Sequence, residues 1–592
     1  HTRSKRDWSS DVCSSDLDIM SSSKLESLPN EILIECFEYL DGLDILHGFN
    51  RLNQRFTQLI RNIRLYIDFQ AIPKLSFEQS LNDLISNEDI QQQIYSIKLS
   101  NKGTQFQIEP FLNRFSLHQF SNLRSLTFVD IFRNTLLNLL PLPASISCLH
   151  IYDSNDLIDT DKVPLTGLQV TTLPTVTHIE NNDLLNVRNL TIRVCTVPQY
   201  FRMLTTGVQL RYLNINIWHG FNNFMLNDTS LYPKRNPLIH LRELNIKLPN
   251  KFGFEFVQNT VERMPNLTAL TIHQQDSLSD MFNASNWQKL ITTSVPLLKT
   301  FQIYFKCCMV SDGSNDLEQF QTDFWQNEHQ WFIEYAVSDT MVELYTIPFA
   351  FNKYKLPFHT VRYYTDINNS SETFLNVTRL TIEPILTEEN LQYHFPCVTW
   401  LSLGDFSSRN YKIQRSINRY IESLKMIVNL SNIRHLSVVS KSFNNPKILS
   451  QILKQIPELR TFKIHVTLLE SLLKDDKCYE YVSKSITELK IYEPMSERGQ
   501  SSGYNWILFC KIFSNLETIT CSVTDEGILS LLLTNLSNLL RVNLYLPTRS
   551  DHVDRIQNLK EKTQTLGFDI SIHMTGLFYR PKALIWILRR PL

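Results

Sequence analysis

Leu241-Arg242-Glu243-Leu244-Asn245-Ile246 and Leu267-Thr268-Ala269-Leu270-Thr271-Ile272 carry the pattern that decides the fold. In each, one apolar residue is followed by a second three positions on and a third two beyond that, separated by mostly polar residues. Alternation of this kind suits a short strand with one buried face. The pattern recurs at Leu123-Leu126-Phe128, Ile146-Leu149-Ile151, Val187-Leu190-Ile192, Leu210-Leu213-Ile215 and Leu298-Phe301-Ile303. It returns at Val377-Leu380-Ile382, Val398-Leu401-Leu403, Ile433-Leu436-Val438, Leu459-Phe462-Ile464, Ile486-Leu489-Ile491, Leu516-Ile519-Cys521 and Leu539-Val542-Leu544. Most successive copies lie about 20 to 35 residues apart, with a longer gap between those at Ile146 and Val187.

Helical stretches fill the intervals. From Pro446 to Ile456, the residues Ile448, Leu449, Ile452, Leu453 and Ile456 share one helical face, and Pro446 stands where a first turn tolerates it. A single strand–turn–helix unit cannot bury its apolar face, so stacked neighbours must supply a continuous core. The pattern resembles leucine-rich repeats, which implies an α/β curved solenoid of short parallel strands alternating with helices over residues 71–592. It departs from that family in lacking a regular Asn or Cys after each strand. Residues from about 305 to 376 interrupt the rhythm with Phe324-Trp325, His329, Trp331-Phe332 and Tyr345-Thr346-Ile347-Pro348. Buried rings are mostly structural, so these aromatics are read as the core of irregular repeats, with a target pocket as the alternative.

Upstream, Leu28-Pro29-Asn30-Glu31 opens a segment whose apolar residues Ile32, Leu33, Cys36, Phe37 and Leu40 fall at helical intervals, and Asp41-Gly42 is expected to end that helix. Two shorter helices are expected around Leu43 to Phe49 and Asn53 to Ile60. A bundle of roughly 40 residues exposes more apolar surface than it can cover. Leu28-Pro29-Asn30-Glu31-Ile32-Leu33, Phe37-Glu38-Tyr39-Leu40, Asp44-Ile45-Leu46 and Asn53-Gln54-Arg55-Phe56 closely resemble the F-box motif, assigned to residues 20–70. The resemblance implies docking to the Skp1-type adaptor of a cullin ubiquitin ligase, with Leu28, Pro29, Ile32, Leu33, Ile45 and Leu46 at or beside the interface. Where the family often has a Val-Cys pair, this chain has Asn53-Gln54, which bears on the packing of the third helix.

Residues 1–19 include Arg6-Asp7-Trp8-Ser9-Ser10-Asp11, which resembles translated sequencing-adaptor sequence; they are expected to be a non-native or disordered leader, with Met20 as the start. With 43% hydrophobic and 20% charged residues there is enough apolar material for a core and too little net charge for disorder. The formal net charge of -1, without a long Lys/Arg block, argues against nucleic acid as a partner and gives no membrane-surface signal. No apolar run reaches a membrane span, Ala583–Leu588 included, so a cytoplasmic or nuclear protein is expected. The ten cysteines include no CxxC and are read as reduced core residues.

Nothing in the chain calls for a cofactor or metal. The 14 glycines form no phosphate-cradling motif and the 15 histidines no HExxH. Gly499-Gln500-Ser501-Ser502-Gly503 fits the GxSxG elbow formally, but Glu493–Arg498 separates it from the strand at Ile491, so it is read as a polar loop. The chain is therefore expected to be a non-catalytic adaptor whose solenoid selects an unknown protein target. A leucine-rich scaffold without ubiquitin transfer is the alternative. Side chains flanking the buried strand positions form the expected recognition set: Trp218, Tyr304, Trp400, Tyr492 and Tyr545, with His273, Lys463 and His465 similarly placed.

Overall fold

The computed structural model describes residues 25–589 apart from 51, 71, 73, 103–106, 153–162, 164, 176–183, 219–236, 251, 309–313, 339–340, 357–359, 364–371, 383–385, 387–388, 405–416, 440–445, 475–484, 493–504, 522–525, 546–560, 562–567 and 576–581. The expected leader thus lies outside the described residues. Two compact units emerge. The N-terminal unit holds the residues up to Val129 with Pro143–Ile146; the C-terminal unit holds Asp130–Leu142 and everything from Ser147.

The N-terminal unit opens with three helices, α1 (Asn30–Phe37), α2 (Gly42–Phe49) and α3 (Gln54–Ile60). Leu33, Phe37, Leu43, Ile45, Phe56, Leu59 and Ile60 are buried within the unit. The rings of Phe37, Phe49 and Phe56 lie 5.1 to 6.3 Å apart. Asp41-Gly42 corrects the sequence reading: it starts α2 instead of ending α1. The Asp41 carboxylate accepts hydrogen bonds from the backbone N–H of Leu43 at 2.8 Å and of Asp68 at 3.0 Å. Gly42 is required because a Cβ there would stand 2.9 Å from the Tyr66 carbonyl oxygen. Asn53 also has a physical role: its side chain caps α3 by accepting from the Phe56 N–H at 2.9 Å.

Three parallel strands follow, β1 (Leu65–Asp68), β2 (Ile94–Ser100) and β3 (Ser125–Val129). Ile94, Ile97 and Leu99 of β2 are fully buried and repeat the apolar spacing one copy earlier than the sequence reading began it.

The C-terminal unit begins with parallel strands β4 (Cys148–Tyr152), β5 (Val170–Thr175), β6 (Asn189–Cys195), β7 (Tyr212–Ile217), β8 (Glu243–Leu248), β9 (Ala269–Gln274) and β10 (Thr300–Cys308). Their register aligns the apolar positions in columns: Leu213 with Leu244, Leu270 and Phe301, and Ile215 with Ile246, Ile272 and Ile303. β5 fills the long gap in the pattern. It follows the same spacing as Leu168-Thr171-Leu173, all buried, but Thr171 puts a hydroxyl where the other copies carry an apolar residue.

The chain then changes pairing. β11 (Phe332–Val337), β12 (Met341–Ile347) and β14 (Val361–Tyr363) add antiparallel strands in the order β10, β12, β11, β14. Phe324, Trp325, Trp331 and Tyr345 are buried here, as core. Parallel pairing resumes from β13 (Lys353–Leu356) through β15 (Arg379–Ile382), β16 (Trp400–Leu403), β17 (His435–Val438), β18 (Thr461–His465), β19 (Glu488–Tyr492), β20 (Thr518–Cys521) and β21 (Arg541–Tyr545). β22 (Phe568–Thr575) and β23 (Lys582–Arg589) close the sheet antiparallel, the apolar run Ala583–Leu588 lying in β23. Helices such as Pro446–Lys454 bury Ile448, Leu449, Ile452 and Leu453, as expected.

The fold is thus mixed α/β, with long parallel sheets backed by helices. Among the described residues no helix is long and apolar enough to cross a membrane. The cysteines do not all serve the core: Cys195, Cys510 and Cys521 are buried, whereas Cys36, Cys308 and Cys397 are exposed.

Candidate functional site

Pleating places the polar residues between the apolar columns on the opposite face of each strand. In register, Thr172, Thr191, Asn214 and Asn245 form a ladder of hydroxyls and carboxamides, continued by Thr271 and Gln302. Neighbouring rungs bond to one another: His150 Nδ1 lies 2.9 Å from Thr172 Oγ1, and Thr271 Oγ1 donates to Gln302 Oε1 at 3.1 Å. On this face an open cavity of about 1010 Å³ is lined by residues from β4 through β18 and by Phe351–Lys355.

Its lining is strongly unbalanced in charge. Among the described residues, Arg193, Lys247, Lys306, Lys353, Lys355, Arg379 and Lys463 share the lining with one carboxylate, Asp276, in a chain whose formal net charge is -1. Lys306 is neutralised by Glu343 at 2.6 Å, whose other oxygen accepts from the Tyr354 hydroxyl at 3.0 Å. Desolvation lowers the Lys247 ammonium pKa, and the nearby positive charge of Lys353 lowers it further. Arg379 lies 4.9 Å from the Trp400 ring, which stacks on its other cross-strand neighbour, His435, at 4.8 Å.

His273 stacks on Tyr304 at 5.2 Å, and burial, reinforced by Lys247, pushes its pKa down from 6.5 to about 4. The imidazole is therefore neutral near pH 7. An unfolded chain would take up a proton near 6.5 that the folded one refuses, so stability falls as pH drops from about 6.5 towards 4. His273→Gln is expected to flatten that acid-side decline, measured by denaturant unfolding across the window. An unchanged slope would show that His273 does not titrate abnormally.

The structure distributes the expected recognition residues unevenly. Trp400 and Lys463 line the cavity, half-buried. Tyr304 lines it too, but at 6% exposure it is a wall, not an exposed anchor, because Phe349, Phe351 and Tyr354 pack around its ring. Trp218 and Tyr492 are exposed outside the lining; Tyr492 lies 5.5 Å from the Lys463 ammonium. His465 is corrected to a structural residue: it is buried and caps the following helix by accepting from the Thr467 N–H at 3.3 Å. The side chain of Tyr545 and the Gly499–Gly503 loop with Ser501 lie outside the described residues. The lining cations of β6, β8, β13 and β15 lie outside the expected recognition set, which is mostly aromatic. Their signal was a Lys or Arg between or beside apolar strand positions. Among the described residues no cluster of three metal-ligating side chains occurs.

On the N-terminal unit, Pro29 and Ile32 (42%) are exposed and Leu28 and Leu46 half-buried, whereas Leu33 (1%) and Ile45 (2%) point into the core. Those two therefore support the surface and do not form it. Exposed Leu25, Tyr39, Leu40 and Leu52 add apolar area that the sequence reading did not single out. Arg55 ties the Leu28-Pro29 turn to α3: its Nε donates to Asn30 Oδ1 at 2.9 Å, and its other nitrogens donate to the Glu26 and Leu28 carbonyls.

No family model matches the sequence, and no curated protein matches it. Among solved structures, a leucine-rich-repeat protein of Leptospira interrogans is similar over 81% of this chain and 97% of its own, at 11% identity and a TM-score of 0.21. That overlap is too loose to transfer function, so the strand-by-strand pairing of this chain defines its fold.

Proposed function

We propose that this chain is a non-catalytic substrate-recognition adaptor. The N-terminal helices would dock the Skp1-type adaptor of a cullin ubiquitin ligase, and the sheet face of the C-terminal unit would hold a target protein. Chemistry belongs to the partners: tethering raises the local concentration of ubiquitin-loaded enzyme around the target's lysines. The cytoplasm or nucleus is the proposed place of action. The observation that carries this reading is the exposed apolar surface of the three-helix bundle, with Pro29 and Ile32 in the F-box-like opening and Arg55 holding their turn in place. Such a surface on a small bundle marks a protein interface.

Ile32→Lys is the direct test, since an exposed position tolerates the change without unfolding. The parent chain is expected to capture a Skp1-type adaptor and cullin. The variant should lose about 2 kcal/mol or more of that affinity at an unchanged unfolding midpoint. Burial of Leu33 and Ile45 favours a second reading, in which the bundle is only an N-terminal cap on an interaction scaffold. A well-folded parent that never recovers adaptor or cullin would decide for the scaffold.

A further inference from the structure

We propose that the cavity on the sheet face of the C-terminal unit binds an extended acidic segment of a partner protein, its carboxylates meeting Lys247, Lys353, Lys355 and Arg379. This rests on the sheet face being the recognition surface and is independent of how the N-terminal helices dock. Like charges converge there, and an anionic occupant would relieve their mutual repulsion. Lys247 comes from β8 and Lys353 from β13, yet both line this one cavity, and the charge of Lys353 bears on Lys247. Both, with Lys355 and Arg379, are exposed. The one carboxylate of the lining among the described residues, Asp276, already accepts from the Asn250 side-chain amide at 2.7 Å.

The occupant is a polypeptide for two reasons. The cavity floor offers carboxamides and hydroxyls from adjacent strands, among them Asn214 and Asn245, which suit the alternating N–H and C=O groups of an extended chain. Single-stranded nucleic acid needs open ring faces on which bases stack. Two rings of the lining lack them. Trp400 lies between Arg379 and His435, and Tyr304 is packed by His273, Phe349 and Phe351.

The test is fluorescence anisotropy of a labelled oligo-glutamate peptide of about ten residues with the full chain. Saturable binding that weakens as salt rises is expected. The double variant Lys353→Glu/Arg379→Glu should bind at least about tenfold more weakly at an unchanged unfolding midpoint. Bound carboxylates should also raise the NMR titration midpoint of His273 above about 4. Ile32→Lys should bind like the parent. Undiminished affinity in the double variant would overturn the proposal, as would tighter binding of an oligouridylate of equal charge that depends on the same two residues. If captured targets stay bound to the double variant, the acidic-segment inference fails while target recognition by this chain stands. Peptide binding by a chain that captures no target would support the inference and remove the adaptor reading instead.

Discussion

Arg362→Met is expected to destabilise the C-terminal unit by about 3–5 kcal/mol, because it leaves a buried carboxylate without its counter-charge. The Arg362 and Glu334 side chains are 0% and 1% exposed and meet at 2.6 Å, joining β14 to β11. The guanidinium also donates to Thr373 Oγ1 at 2.6 Å and to the Gln392 carbonyl at 3.4 Å, and lies 5.0 Å from the Phe374 ring. It therefore ties the antiparallel strands to the segments on which parallel pairing resumes. Desolvation raises the Glu334 pKa even with Arg362 in place, so removing the arginine must raise it further. A raised folded pKa on an acid means stability that is present at low pH and lost as pH rises. The variant should thus recover part of its loss on going from about pH 8 to about pH 5. Adding Glu334→Leu should restore most of the rest, since an apolar pair of similar volume often replaces a buried ion pair without penalty. Unfolding curves of the single and double variants decide it. A single variant within about 1 kcal/mol of the parent would refute the argument.

Trp287→Ala should cost a comparable 3–5 kcal/mol, by about the usual toll of an indole-sized cavity. Trp287 is fully buried on the helix Ala284–Ser294; its ring meets Phe254 edge-on at 5.0 Å and stacks over Phe305 at 5.8 Å, and its Nε1 donates to the Met281 carbonyl at 2.8 Å. Trp287→Phe keeps most of the ring and loses mainly the hydrogen bond, so it should cost about 1–2 kcal/mol. In stacked repeats each element leans chiefly on its neighbours. The loss of hydrogen-exchange protection should accordingly centre on β9 and β10, which carry His273 and Tyr304 into the cavity wall. An even loss along the whole unit, or an unchanged midpoint, would contradict this.

The repeating strands were legible because their signal is local. Apolar columns such as Leu213, Leu244, Leu270 and Phe301 arise wherever spacing alone puts one face of a strand towards the helices. Strands escaped notice where a residue broke the apolar spelling without breaking the packing, as Thr171 does in β5. The helices α1 to α3 were equally legible, yet their boundary was misplaced: glycine ends helices often, but the nearness of Tyr66 that makes Gly42 begin one is invisible in sequence.

By itself, then, the sequence determined the alternation of strands and helices, the buried stripe of each and the small bundle at the start, because all of these depend on neighbours a few positions away. Tertiary structure alone decided which face carries charge and where the rings go. Lys247 and Lys353 stand about a hundred residues apart in the chain, and the pairing of distant strands brings them to one cavity. The same pairing turned Tyr304 and His465 from expected contacts into packed walls and caps, since exposure is a property of what surrounds a side chain and not of the residue's place in a pattern.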